Sequence, residues 1–137
     1  MNRAEKQSQK LFKKTLIHRC DVFIKTRTRV GSQWQEVFVR SVEAAPCRMS
    51  TPSPGKTEKI ELNQQQFQNT YTLYSLPMDI KQDARVLLYT ERSGSWVPEA
   101  FYEVKARPRD PSFVGHHYES SCEIMEKMYD VITTSGI

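Results

Sequence analysis

From His18 the chain alternates. Cys20, Val22, Ile24 and Thr26 take every second place, with Arg19, Asp21, Phe23 and Lys25 between them, then Arg27 and Arg29. A repeat of two puts successive side chains on opposite faces of a sheet, so this run predicts a half-buried strand. Val30-Gly31-Ser32-Gln33 follows, then Trp34, Val37, Phe38, Val39 and Val42. That order predicts a long twisted hairpin, with glycine supplying the positive φ of its turn. The second strand runs on through Ala44, Ala45 and Cys47 to Met49. Pro46, which has no N–H to donate, marks a bulge or an edge position.

Other periods flank this hairpin. Ahead of it, Ala4, Ser8, Leu11, Phe12, Thr15 and Leu16 recur at steps of three or four, with Lys6, Lys10, Lys13 and Lys14 taking much of the rest. The spacing predicts a basic amphipathic helix over 3–17 that docks by one narrow stripe. Beyond the hairpin, two prolines and a glycine break the chain at 52–55, and Gln64, Gln65 and Gln66 keep it polar. A connection of this length inside a compact domain tends to carry function. Alternation resumes at Thr70 and stops at Pro77, and Arg85–Thr90 forms a further strand. Ser93-Gly94-Ser95 is a turn, Trp96 and Val97 begin a short strand before Pro98, and Ala100–Ala106 forms another. His116–Ile124 reads as the last strand. Ser120-x-x-Glu123 before Ile124, Met125, Met128 and Ile132 competes as a capping box opening a helix. The expectation is a strand to about 124 and a helical tail beyond it.

The predicted fold is therefore mainly β: a small antiparallel β-barrel or sandwich over 18–125, with a long polar loop at 50–69. A basic helix over 1–17 precedes it and a short helical tail over 126–137 follows. At 137 residues the chain suits one domain. It has nothing near the ~20 apolar residues of a membrane helix, and the N-terminus lacks the apolar core of a secretion signal. No membrane partner and synthesis in the cytoplasm are expected. Cys20, Cys47 and Cys122 lie far apart without a Cys-x-x-Cys pair, which excludes a zinc knuckle and predicts buried free thiols.

Charge is uneven along the chain. Residues 1–29 carry nine Lys and Arg against Glu5 and Asp21, whereas the rest of the chain is net acidic and its end holds Glu119, Glu123, Glu126 and Asp130 against Lys127. A basic front and an acidic back fit nucleic-acid contact, or head-to-tail contact between copies.

The motifs for chemistry are sparse. Gly55-Lys56-Thr57 lacks the upstream glycine and strand of a phosphate loop, and there is no Gly-x-Ser-x-Gly elbow. His116 and His117, adjacent in a strand, would point to opposite faces, a poor arrangement for one metal even with His18 nearby. No catalytic residues, metal or cofactor are expected.

The order of motifs from residue 71 is similar to a known family. Tyr71-Thr-Leu-Tyr-Ser-Leu-Pro77 is followed by Asp79-Ile80-Lys81, Arg85-Val86, Phe101-Tyr-Glu-Val104, Pro108-x-Asp110-Pro111-Ser112 and His116-His117-x-Glu119. Upstream stand His18-Arg19-Cys20-Asp21-Val22 and Ala45-x-Cys47-Arg48. Together they resemble the head-closure proteins of tailed bacteriophages, also called stoppers or head-completion proteins, over roughly 16–125. Asp83-Ala84 stands where that pattern has Gly-Asp, and the Glu91–Ala100 insert is longer than its hairpin.

The resemblance implies a virion protein of the neck, made in the host cytoplasm. It would form a ring of six or twelve copies beneath the portal and adaptor, meet tail-terminator or tail-tube proteins, and close the channel on double-stranded genomic DNA. The channel loop would be Ser50–Asn69. Its Lys56 and Lys59 are balanced by Glu58 and Glu61 and followed by Gln64, Gln65 and Gln66, so it is polar without the net charge that would grip phosphate. A ring needs two different surfaces on each subunit; Lys10, Lys13, Lys14, Arg27 and Arg29 could meet Glu119 and Glu123. The alternatives are another neck role, an adaptor or tail terminator, and a nucleic-acid-binding β-barrel working alone through clustered aromatics.

Overall fold

A computed structural model describes residues 2–50, 70–111 and 113–125. The helix α1 spans Arg3–Lys13, and six strands follow: β1 His18–Val30, β2 Gln33–Ser50, β3 Thr70–Ser75, β4 Arg85–Arg92, β5 Ser95–Val104 and β6 Tyr118–Met125. They close into one antiparallel barrel in the order β1-β2-β3-β6-β5-β4. The closed barrel replaces the open choice between barrel and sandwich.

Alternation decides the interior. Cys20 and Val22 of β1, Cys47 and Met49 of β2, Leu73 of β3, Val86 and Leu88 of β4, Tyr102 and Val104 of β5 and Cys122 of β6 point inward and form the buried core. Ile80 and Ala84, from the connection before β4, join them. All three cysteines are buried and free, as the sequence predicts.

The predicted hairpin exists and is longer than the barrel. β1 pairs with β4 only over Arg19–Phe23, and β2 pairs with β3 only over Cys47–Ser50. From Ile24 to Val39 the two strands have only each other, register Ile24↔Val39 through Val30↔Gln33. This two-stranded ribbon extends over roughly 24 Å at the rise of a β-strand. Gly31, at φ +64, takes the first central place of its two-residue turn, where the twist of the strands demands a left-handed backbone.

Three local readings change, and the expected strand through Ile124 holds. The helix ends at Lys13, not 17, because Thr15 folds its hydroxyl back onto the Phe12 carbonyl at 2.7 Å and Lys14 caps the end. Val97 and Ala100 belong to one strand, β5: Leu88 pairs with Ala100 and Tyr89 with Pro98, so Glu99 is an extra residue that bulges out. Pro98 is accommodated at that break. β6 starts at Tyr118, leaving His116 and His117 in the preceding loop. Ser120-x-x-Glu123 stays extended because β6 is paired on both sides, to β3 and β5, and ladder bonds outweigh a local capping signal. The predicted tail over 126–137 lies outside the described residues.

Asp83, standing where the family pattern has glycine, adopts φ +70 and donates its N–H to the Val104 carbonyl at 2.9 Å. Aspartate is among the side chains that tolerate this region. The Ser93-Gly94 turn is left-handed at both residues, φ 54 and 83, the form that favours tight hairpins.

Candidate functional site

The strands that flank the predicted polar loop are part of the barrel wall. They are neighbours, β2 and β3, with Ser50 paired to Thr72 and its hydroxyl donated to the Thr72 carbonyl at 3.3 Å. The predicted channel residues Lys56, Glu58, Lys59, Glu61, Gln64, Gln65 and Gln66 lie outside the described residues. Strand direction collects the loop stems, the start of β1, the end of β6 and the β4–β5 turn at one end of the barrel. The ribbon leaves from the other end.

At the loop end His18 accepts the Met49 backbone N–H at Nδ1, 3.2 Å away. Burial and the nearby Arg48 charge hold this imidazole below its ordinary pKa, which keeps Nδ1 free to accept. The β4–β5 hairpin beside it is stiffened by Arg92, whose Nη2 lies 2.8 Å from both carboxylate oxygens of Glu99. Arg19 lies over the Trp96 ring at 4.3 Å.

The helix docks through side chains that the apolar stripe only partly anticipates. Phe12 stacks on the His117 ring (centroids 4.6 Å) and meets His116 edge-on at 5.7 Å. Ser8 Oγ lies 3.1 Å from His116 Nε2, and Gln9 Nε2 donates to the His116 carbonyl at 2.9 Å. Leu11, counted in the predicted stripe, is 61% exposed. The two histidines do not point apart: their Nδ1 atoms are 2.9 Å from each other. Outside a strand, the alternation that would separate them does not apply. Gln9 was missed because an amide carries no apolar signal.

The predicted contact residues fall in three places. Lys10, Lys13 and Lys14 are exposed on or beside α1, and Arg27 and Arg29 are exposed along the ribbon. Glu119 is engaged within the chain, taking Arg109 Nη2 at 2.8 Å and His117 Nε2 at 3.1 Å. Glu123 faces Lys105 at 4.0 Å. The structure therefore does not bring the basic and acidic sets together within one chain.

The outer wall carries a second apolar cluster, Phe23, Leu87 and Phe101, flanked by Phe38, Tyr89 and Met125. Arginines cover outer aromatics: Arg40 over Phe23 at 5.6 Å, Arg85 over Phe38 at 4.8 Å and Arg48 over Tyr74 at 4.4 Å. Guanidinium planes suit this, being weakly hydrated and attracted to ring faces. Tyr71 packs against Tyr102 at 5.3 Å. These rings are thus occupied by neighbours. Phe113 differs, at 91% exposed with φ 59. Among the described residues no group of three His, Cys, Asp or Glu is placed to hold a metal ion, and no helix is long and apolar enough to cross a membrane.

No model of a known protein family matches the chain, and no curated protein matches it.

Proposed function

We propose that this chain is a head-tail connector of the head-closure type. In this reading it joins a ring under the portal and adaptor of a tailed bacteriophage, continues the DNA channel, closes it after packaging and seats the tail. The observation that carries the reading is a small closed barrel in which β2 and β3, the strands on either side of the polar segment 51–69, are hydrogen-bonded neighbours. A barrel gives each subunit a rigid wall, and a charge-balanced loop can cross a conduit without gripping phosphate. The order of motifs from Tyr71 to Glu119 supports the same reading, as does Asp83 in a left-handed turn where the family pattern has glycine.

The barrel working alone on nucleic acid is favoured by the cations of α1, with which no carboxylate pairs among the described residues. Its stacking mode is weakened where arginines and neighbouring rings cover Phe23, Phe38, Tyr71 and Tyr74, since base stacking needs open ring faces; Trp34 and Phe113 stay exposed but lie on separate elements. The discriminating experiment shortens the loop across 52–66. The barrel should stay folded and join its ring, while filled heads lose their DNA. Heads that stay filled would place the gate elsewhere.

A further inference from the structure

Arg3, Lys6, Lys10 and Lys13 recur along α1 at steps of three, four and three. At 3.6 residues per turn they fall within an arc of about 80° and extend along about 15 Å of helix axis. All four are exposed. With Gln7 and Gln9 they line one shallow groove. Among the described residues no carboxylate pairs with any of them. The helix's one acid, Glu5, is turned to the N-terminus, where its carboxylate takes the Asn2 side-chain amide at 2.9 Å and Asn2 caps the Glu5 N–H at 2.8 Å. The opposite flank is fixed to the barrel by Ser8 and Phe12, and Gln9, at the edge of the groove, adds its hydrogen bond to the His116 carbonyl. The cations are therefore displayed at set spacing on a docked helix.

A protein partner fits this surface poorly. Interface centres are apolar and depleted of lysine, and the stripe has no apolar residue within it. A membrane-surface helix needs apolar residues on the face opposite its cations, and here that flank is spent on the histidine pair. A stiff, regularly charged polyanion fits both the line and its lack of acids. We propose that the Arg3–Lys6–Lys10–Lys13 stripe binds the phosphate backbone of duplex DNA without regard to sequence. The inference goes beyond the connector reading, because the surface is complete on a single chain. It also assigns Lys10 and Lys13 to phosphate rather than to a neighbouring subunit.

The test is fluorescence anisotropy of the full chain with a labelled duplex of about 20 base pairs, across salt from about 50 to 200 mM. Four neutralised phosphates give a slope of about −3.6 in log affinity against log salt, a loss of about 150-fold over that range. The quadruple variant R3Q/K6Q/K10Q/K13Q should lose this binding while keeping its circular dichroism and unfolding midpoint. The variant R27Q/R29Q, on the ribbon, should bind within about twofold of the parent. Duplexes of unrelated sequence should bind alike. Equal binding by the quadruple variant, no duplex binding at low salt, or a preference for single strands, for phosphatidylglycerol vesicles or for polyglutamate would each overturn the proposal. No portal or ring is involved, so failure here leaves the connector reading to its own experiment.

Discussion

The carboxylate of Asp21 accepts the backbone N–H of Ala44 at 2.8 Å, across the root of the β1–β2 ribbon. The contact repairs a bulge. Cys20 pairs with Ala45 and Val22 with Val42, so Asp21 faces two residues, and Ala44 takes φ 50. Tyr89 donates its hydroxyl to the same carboxylate at 3.1 Å, and Arg40 lies at 3.7 Å. Asp21 is only 4% exposed. Replacing it by alanine strands the Ala44 donor and leaves Arg40 without its buried partner. Asp21→Ala should therefore lower unfolding free energy by about 2–3 kcal/mol, read from the urea midpoint, with Asp21→Asn losing less. An unchanged midpoint would show that the bulge holds itself.

His18 ties stability to pH. Its folded pKa lies below the ordinary 6.5, through burial and then the Arg48 charge. The unfolded chain therefore binds this proton more readily than the folded one. The stability contributed by the neutral ring is complete above about 6.5 and is lost as pH falls through the lowered folded value. Urea midpoints measured between pH 7.5 and 5 should fall for the parent chain and fall less for His18→Gln. Parallel curves for the two would remove His18 from the account.

The three thiols should be silent. Burial pushes the Cys122 thiol up to about 12, and the hydrogen bond with Cys20, with burial added, raises that of Cys47. An aromatic disulfide reagent at neutral pH should leave all three untouched in the folded chain and titrate three after denaturation, because only the thiolate attacks. Fast labelling of the folded chain would contradict the closed core.

Ser75 and Ser120 are fully buried inside the barrel, and among the described residues their hydroxyls have no hydrogen-bond partner. Such a group costs its desolvation without return. Ser75→Ala and Ser120→Ala should be neutral or stabilising by up to about 1 kcal/mol. Leu73→Ala, at a fully buried wall position, should destabilise by about 2–5 kcal/mol. Calorimetry of the three variants checks both signs.

The helix is an appendage. None of its residues is buried, and its contacts reach one loop through Ser8, Gln9 and Phe12. Removing residues 1–14 should leave the barrel folded with nearly the same strand content. Loss of cooperative unfolding in the truncated chain would mean that α1 belongs to the core.

Much of this fold was legible because β-structure here obeys a period of two with glycine at its turns. Cys20, Val22 and Leu73 announced their face by alternation alone. Closure of the sheet was not legible, since the β3–β6 and β1–β4 pairings join segments far apart in sequence. The merging of Trp96 and Phe101 into one strand escaped because Pro98 reads as a stop, while a one-residue bulge at Glu99 absorbs it. The site was legible as composition: the basic stripe was visible, and so was the polar loop. What held the stripe in place was not, because Gln9 and the His116–His117 pair act through hydrogen bonds and ring stacking that carry no period.

The most direct test of the connector reading is the mass and shape of the purified chain, alone and mixed with its cognate portal–adaptor complexes, by light scattering and negative-stain imaging. A free monomer that adds to those complexes as a closed ring is the expected result. A monomer that leaves those complexes unchanged would contradict the connector reading and favour the barrel that works alone.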